Sequence, residues 1–253
     1  ARGRTIRCIA KDDDTRTLND ITTMQEMTPK ICENTPQYTI NQKVYKLSDV
    51  RDGNEYNVTK LEDGRCWMTE NISLLGEYTL TPADSDVSEI WTLPSSLTPS
   101  EITAEDFAIQ DGNPYKIRSA YNPDTGDQYG AYYSWCAATA NTCNISSGDA
   151  ISSICPKGWK LPSRLEYKAL LATIIATEEH SLLAQMTEPP YNFPLSGYVL
   201  ESGKINPGSI RNWSSTAGST TAYNLGSNSS TGDVQIDISA SRARGFSVRC
   251  IAY

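Results

Sequence analysis

One histidine, His180, and no Cys-x-x-Cys pair occur in the chain, so the usual raw material of zinc sites and thioredoxin-like redox centres is missing. A Ser-His-Asp or Cys-His mechanism would have to run through His180, which follows Glu178-Glu179 near the end of a predicted helix. The helix dipole alone favours a histidine there. There is no Gly-rich phosphate loop and no apolar run long enough to span a bilayer. An initiator Met and a signal segment are also missing, so the sequence reads as a processed product or an excised piece. Bases are outnumbered, 22 against 30 carboxylates, for a net charge of −8, which disfavours nucleic acid and anionic membranes as partners. Phe is scarce at 3 residues while Tyr reaches 14, a bias that suits a solvent-facing, loop-rich protein with amphipathic contacts.

What is present is more specific. Seven cysteines, Cys8, Cys32, Cys66, Cys136, Cys143, Cys155 and Cys250, are spread along the chain, which points to disulfides formed in an oxidising compartment. The odd number has a local explanation. Ala1-Arg2-Gly3 and Arg7-Cys8-Ile9-Ala10 reappear as Ala243-Arg244-Gly245 and Arg249-Cys250-Ile251-Ala252, at a constant offset of 242 residues. Thr5 and Ser247, and Ile6 and Val248, keep their chemistry in between. A segment met again after one whole unit is the mark of a tandem array. Residues 1–10 are therefore assigned to the closing strand of a preceding repeat. Cys8 goes with them, leaving six cysteines for this unit.

Residues 11–22 open on Lys11-Asp12-Asp13-Asp14 without apolar periodicity and read as a linker, and residues 23–253 as one domain. Residues 39–50 and 55–61 alternate like strands across an Asp52-Gly53 turn, and Asp63-Gly64 leads into a buried strand at Cys66-Trp67-Met68. Residues 76–115 read as a long surface excursion rather than a sheet. Tyr129–Thr139 reads as a strand entering a short helix. The firmest helix covers 164–177, with Ser163 and Glu166 forming a capping box and Leu165, Ala169, Ala172 and Ile175 or Ala176 as its core-facing stripe.

Four strings occur in order: Cys66-Trp67-Met68-Thr69-Glu70-Asn71, Cys155-Pro156-Lys157-Gly158-Trp159-Lys160-Leu161-Pro162, Trp213-Ser214-Ser215-Thr216, and Gly245-Phe246-Ser247-Val248-Arg249-Cys250. Together they resemble the Fibrobacter succinogenes major paralogous domain, a family of bacterial surface and secreted modules. The Leu-Pro-x-x-x-Glu helix start and the Gly-Phe terminal strand also resemble the formylglycine-generating-enzyme group. The resemblance implies an α+β, C-type-lectin-like fold, β-dominated, with two short helices, long irregular loops and disulfides. It also suggests pairing Cys155 with Cys250, Cys136 with Cys143 across a short loop, and Cys32 with Cys66.

The functional expectation is a non-enzymatic extracellular module repeated along a cell-surface fibre or stalk, with neighbouring copies as head-to-tail partners. Residues 1–10 would complete the sheet of the preceding unit, and Cys8 would bond to that unit's counterpart of Cys155. Adhesion or ligand binding is assigned to the stretch 206–233, through Asn212, Tyr223, Asn224 and Asn228, with a glycan or a host or cell-surface protein as ligand. Trp213 in the same stretch reads equally well as core. The alternative is a calcium-independent lectin-like module, and a formylglycine-generating-type oxidase is a distant third, because no reduced catalytic cysteine pair maps onto the chain. No cofactor is expected. Glu188-Pro189-Pro190 and Asn212-Trp213-Ser214 lack the ligand set of a calcium-dependent lectin, and two consecutive turns explain Asn122-Pro123-Asp124-Thr125-Gly126-Asp127 more simply than a structural calcium.

Overall fold

Two antiparallel-rich sheets meet along the last ten residues of the domain. The computed structural model describes residues 14–39, 44–98, 100–103, 119–120, 129–174, 181–200, 202, 204–228 and 230–253. The first sheet has five strands, in the order Tyr45–Ser48, Glu55–Lys60, Cys66–Met68, Ile251–Ala252 and Trp159–Lys160. The second has seven, running from Asp233–Ser241 through Thr221–Asn228, Arg211–Ala217, Phe246–Ser247 and Tyr132–Tyr133 to Ser119–Ala120, with Gly148–Asp149 against Arg211–Ala217. The chain is thus β-rich α+β with short helices, at Pro29–Asn34, Trp135–Ala138, Arg164–Thr173 and Leu182–Thr187. Among the described residues there are four α-helices where the resemblance implies two.

Local signals explain several elements. Gly53 takes φ 77° in the turn joining the first two strands, which pair from Tyr45 with Val58 to Ser48 with Glu55. The helix at Arg164 begins on the expected capping box: Ser163 Oγ accepts from Glu166 N at 3.2 Å, and Glu166 Oε2 accepts from Ser163 N at 2.8 Å. It stops at Thr173, four residues before the expected end, and its buried face is Tyr167, Leu170 and Ile174. Leu165 and Ala172 are exposed. The expected stripe is therefore corrected by a rotation of the helix, because the Tyr167 ring packs 5.5 Å from Trp67 and outweighs smaller alanines in buried apolar area.

Two other expectations are corrected. The segment read as a linker is packed from Asp14 onward: Leu18 and Ile21 lie in the main core, and Asn34 Nδ2 donates to Asp14 O at 2.8 Å. Residues 76–115 include a two-stranded sheet, Tyr78–Leu80 with Trp91–Leu93, which places Leu80 and Leu93 in the core. Residues 1–13, 122–127 and His180 lie outside the described residues, and with them the expected junction strand, Cys8 and the Asn122–Asp127 turns.

The cysteines pair as Cys32–Cys66, Cys136–Cys143 and Cys155–Cys250, with Cα separations of 5.7, 5.0 and 5.8 Å. No helix among the described residues is long and apolar enough to cross a membrane.

Candidate functional site

The residues expected to bind ligand divide between core and surface. Asn212 and Asn224 are fully buried. Asn212 Nδ2 donates to Asn71 Oδ1 at 3.0 Å, and Asn224 Nδ2 donates to Ile238 O at 2.9 Å. Trp213 is core as well, stacked 4.2 Å from Phe246 with its Nε1 donating to Tyr133 O at 2.7 Å. The stretch 206–233 is strand through most of its length, and its Ser, Asn and Gly side chains are small enough to sit between sheets once hydrogen-bonded. The exposed recognition loop is thereby corrected for Asn212 and Asn224. Tyr223 is half-buried beneath the Arg164 guanidinium, 4.4 Å from the ring, and Arg164 Nε donates to Asp237 at 2.7 Å. Asn228 is exposed, and its Oδ1 accepts from Ser230 N at 2.9 Å.

Asn228 belongs instead to a cleft of about 360 Å³ at the sheet end, shared with Tyr198, Asn206, Arg211, Ser227 and Gln235. The small hairpin Tyr198–Val199 and Ile205–Asn206 forms one wall, with Asn206 Nδ2 donating to Tyr198 Oη at 3.0 Å. Arg211 starts the strand opposite and is paired in register with Gly226. A β-carbon on Gly226 would stand 1.9 Å from Arg211 Nη1, so the guanidinium lies over the glycine backbone in space that only glycine leaves open. Burial and the neighbouring Arg244 charge hold Arg211 below its ordinary pKa, against a smaller opposing effect of Tyr198. Sequence reading reached this region but missed Arg211 and Tyr198, because the Arg211–Gly226 pairing is visible only once the strand register is known.

A second cleft, of about 290 Å³, is lined by Asp86, Asp149, Ser153, Lys160, Ser215 and Tyr253. Asp86 accepts hydrogen bonds from Ser153 Oγ at 2.6 Å and from Tyr253 Oη. Burial pushes its carboxyl up to about 6, against those two bonds and Lys160, which favour the anion. The raised value means that the folded state holds this proton more tightly than the unfolded chain does. The resulting stabilisation is complete below about 3.8 and is lost as pH rises through about 6. Urea midpoints between pH 4 and 7 should therefore show wild type losing stability relative to Asp86→Asn as pH rises. A difference that stays constant across that range would contradict the burial of this carboxyl.

Among the described residues no group of three His, Cys, Asp or Glu side chains could hold a metal ion. All six described cysteines are bonded to one another, so none offers a thiol.

The repeated segment has the most central position of all. Phe246 and Ser247 pair with Tyr133 and Tyr132, Ser247 also pairs with Asn212, and Ile251 lies between Trp67 and Lys160. From Arg242 to Ala252 every residue except Arg244 is buried. Arg249 donates through Nη2 to Asn192 O at 2.8 Å and through Nη1 to Tyr191 O, with Phe193 beneath its guanidinium at 3.8 Å.

No curated protein and no solved structure matches the chain significantly. The model of the Fibrobacter succinogenes major domain matches residues 63–252, from the Asp63-Gly64 turn through the closing strand. With three quarters of its length matched, including the closing segment that contributes a strand to each sheet and the Cys155–Cys250 bridge, the chain belongs to the Fibrobacter succinogenes major domain family.

Proposed function

We propose that the chain is a non-enzymatic unit of an extracellular repeat protein of the bacterial surface, joined head to tail with neighbouring copies in a fibre or stalk. One observation carries this reading: residues 1–10 share seven identities with a segment, 243–252, that is sheet-central, almost wholly buried and disulfide-bonded in this unit. Such a sequence is suited to a preformed slot between two strands and poorly suited to water. The copy keeps Arg7, Cys8, Ile9 and Ala10 where this unit has Arg249, Cys250, Ile251 and Ala252, and it carries Arg4 where this unit has Phe246. The three disulfides support an oxidising compartment for such a unit. Repetition favours attachment over catalysis, since many weak sites on one fibre gain avidity without new contacts.

Non-reducing peptide mapping of the full-length surface protein tests the junction. Cys8 is expected in a disulfide with the preceding unit's counterpart of Cys155. A bond from Cys8 to any cysteine between Cys32 and Cys250 would end the proposal. A calcium-independent lectin-like role is the second reading, and the open, polar cleft at Arg211 favours it.

A further inference from the structure

We propose that the cleft between the Tyr198–Asn206 hairpin and the strands at Arg211 and Gly226 is a binding site for the carboxylate of an acidic sugar, with the Arg211 guanidinium as its anchor. The site rests on geometry independent of the repeat junction, and it deepens the lectin-like reading by naming its ligand class.

Three observations carry it. Arg211 Nη1 is enclosed against the Gly226 backbone with no hydrogen-bond partner among the described residues, which leaves the Nε–Nη2 edge of the guanidinium to meet a ligand. Among the described residues no carboxylate forms an ion pair with Arg211, and the neighbours that act on its guanidinium are Tyr198 and Arg244. Leaving such a group without an acceptor is costly, so the fold holds open a demand for oxygen atoms. The second observation is that the group is built into place. Gly226 vacates the space the guanidinium fills, and the Tyr198 ring stands 5.7 Å from Arg211 and 5.8 Å from Arg244. The third is the company it keeps in the cleft. Asn206, Asn228 and Gln235 line it with amides, which suit the alternating donors and acceptors of a sugar ring.

A planar guanidinium accepts a carboxylate through two parallel bonds, and an aromatic ring beside it gives the sugar an apolar face to rest on. Asp233 also lines the cleft, and its carboxylate accepts from Thr231 Oγ1 at 2.6 Å. Its negative charge sets a limit on the ligand: one carboxylate directed at Arg211 is tolerated, whereas a dense polyanion is repelled. A peptide C-terminus shares the carboxylate but needs an apolar pocket for its side chain, and the lining here is mainly polar.

The test is a titration of the disulfide-intact chain followed by amide NMR, with three probes: methyl β-glucuronide, neutral methyl β-glucoside and N-acetyl-Ala-Ala with a free carboxylate. The glucuronide is expected to bind in roughly the millimolar range, with shifts at Arg211, Gly226 and Asn228, and to bind at least about tenfold more tightly than either other probe. Arg211→Gln should weaken it by about tenfold or more. Gly226→Ala keeps the charge and displaces the guanidinium, so it should give a comparable loss while Arg211 is still present. Equal binding of the neutral glucoside would overturn the role of the carboxylate, and tighter binding of the peptide would overturn the sugar. No binding of the glucuronide, or an undiminished affinity in Arg211→Gln with an unchanged near-UV spectrum, would overturn the site. None of these outcomes bears on Cys8, so the array and the cleft stand or fall separately.

Discussion

Replacing Cys155 and Cys250 together by alanine is expected to lower the stability of the chain by about 4 to 5 kcal/mol, the largest loss from any of its three bridges. The bond spans 95 residues, against 34 for Cys32–Cys66 and 7 for Cys136–Cys143. Restriction of the unfolded chain grows with the logarithm of loop length, so the short bridge should contribute only about 2 kcal/mol by the same argument. Both sulfurs are buried, and removing the pair leaves neither half of the bridge behind as a thiol. Position adds to entropy. Met68 N donates to Cys250 O at 3.0 Å and Ile72 N to Val248 O at 2.8 Å, and the closing segment supplies an interior strand of the first sheet, between Cys66–Met68 and Trp159–Lys160. Urea denaturation should show a lower midpoint, and hydrogen exchange should quicken first at Met68 and Ile72. Equal losses from the 95-residue and 7-residue bridges would mean that chain restriction does not govern this fold.

How far the sequence could be read depends on how far apart the cooperating residues are. The Ser163–Glu166 capping box and the Asp52-Gly53 turn were legible because all their participants lie within four residues. The Cys66-Trp67-Met68 strand was legible from its composition, and it is buried at every position. Sequence periodicity failed at the helix face because Tyr167 scores as half-polar, yet its ring meets Trp67, a hundred residues earlier in the chain. Asn212 and Asn224 looked like surface residues for a similar reason. Each is acceptable inside only because of a distant partner, Asn71 for one and the Ile238 carbonyl for the other. The cleft was half legible: Asn228 lies on it, while Arg211 depends on a cross-strand glycine that no local pattern announces. Buried arginines were the least legible of all. Nothing local in the sequence marks Arg242 and Arg249 as interior residues, and both are almost completely enclosed.

Arg242 supports the second large prediction. Its guanidinium is spent on main-chain carbonyls: Nε donates to Thr221 O at 2.9 Å, Nη1 to Cys143 O at 2.6 Å, and Nη2 to Ile145 O at 2.6 Å and Gly218 O at 2.7 Å. The Trp135 ring lies 4.5 Å away beneath it. One planar group thus ties the loop after the Cys136–Cys143 bridge to the turn joining the strands Arg211–Ala217 and Thr221–Asn228, and both to the residue that begins the buried closing stretch. An ion pair can sometimes be exchanged for apolar side chains without loss, because both partners leave together. Carbonyls cannot leave. Arg242→Met keeps much of the length but strands four acceptors, at about 1 to 3 kcal/mol for each that water fails to reach, so a total loss of at least about 4 kcal/mol is expected. Arg242→Lys keeps the charge and three donors on a single nitrogen, which cannot span carbonyls arranged around a planar fork, and about half that loss should follow. The predicted order of urea midpoints is wild type above lysine above methionine. A lysine variant as stable as wild type would show that charge, rather than the planar fork, secures this junction. A methionine variant as stable as wild type would show that the carbonyls are satisfied by water instead. If the order holds, the closing segment is secured at two points, by Arg242 before it and by Cys250 within it.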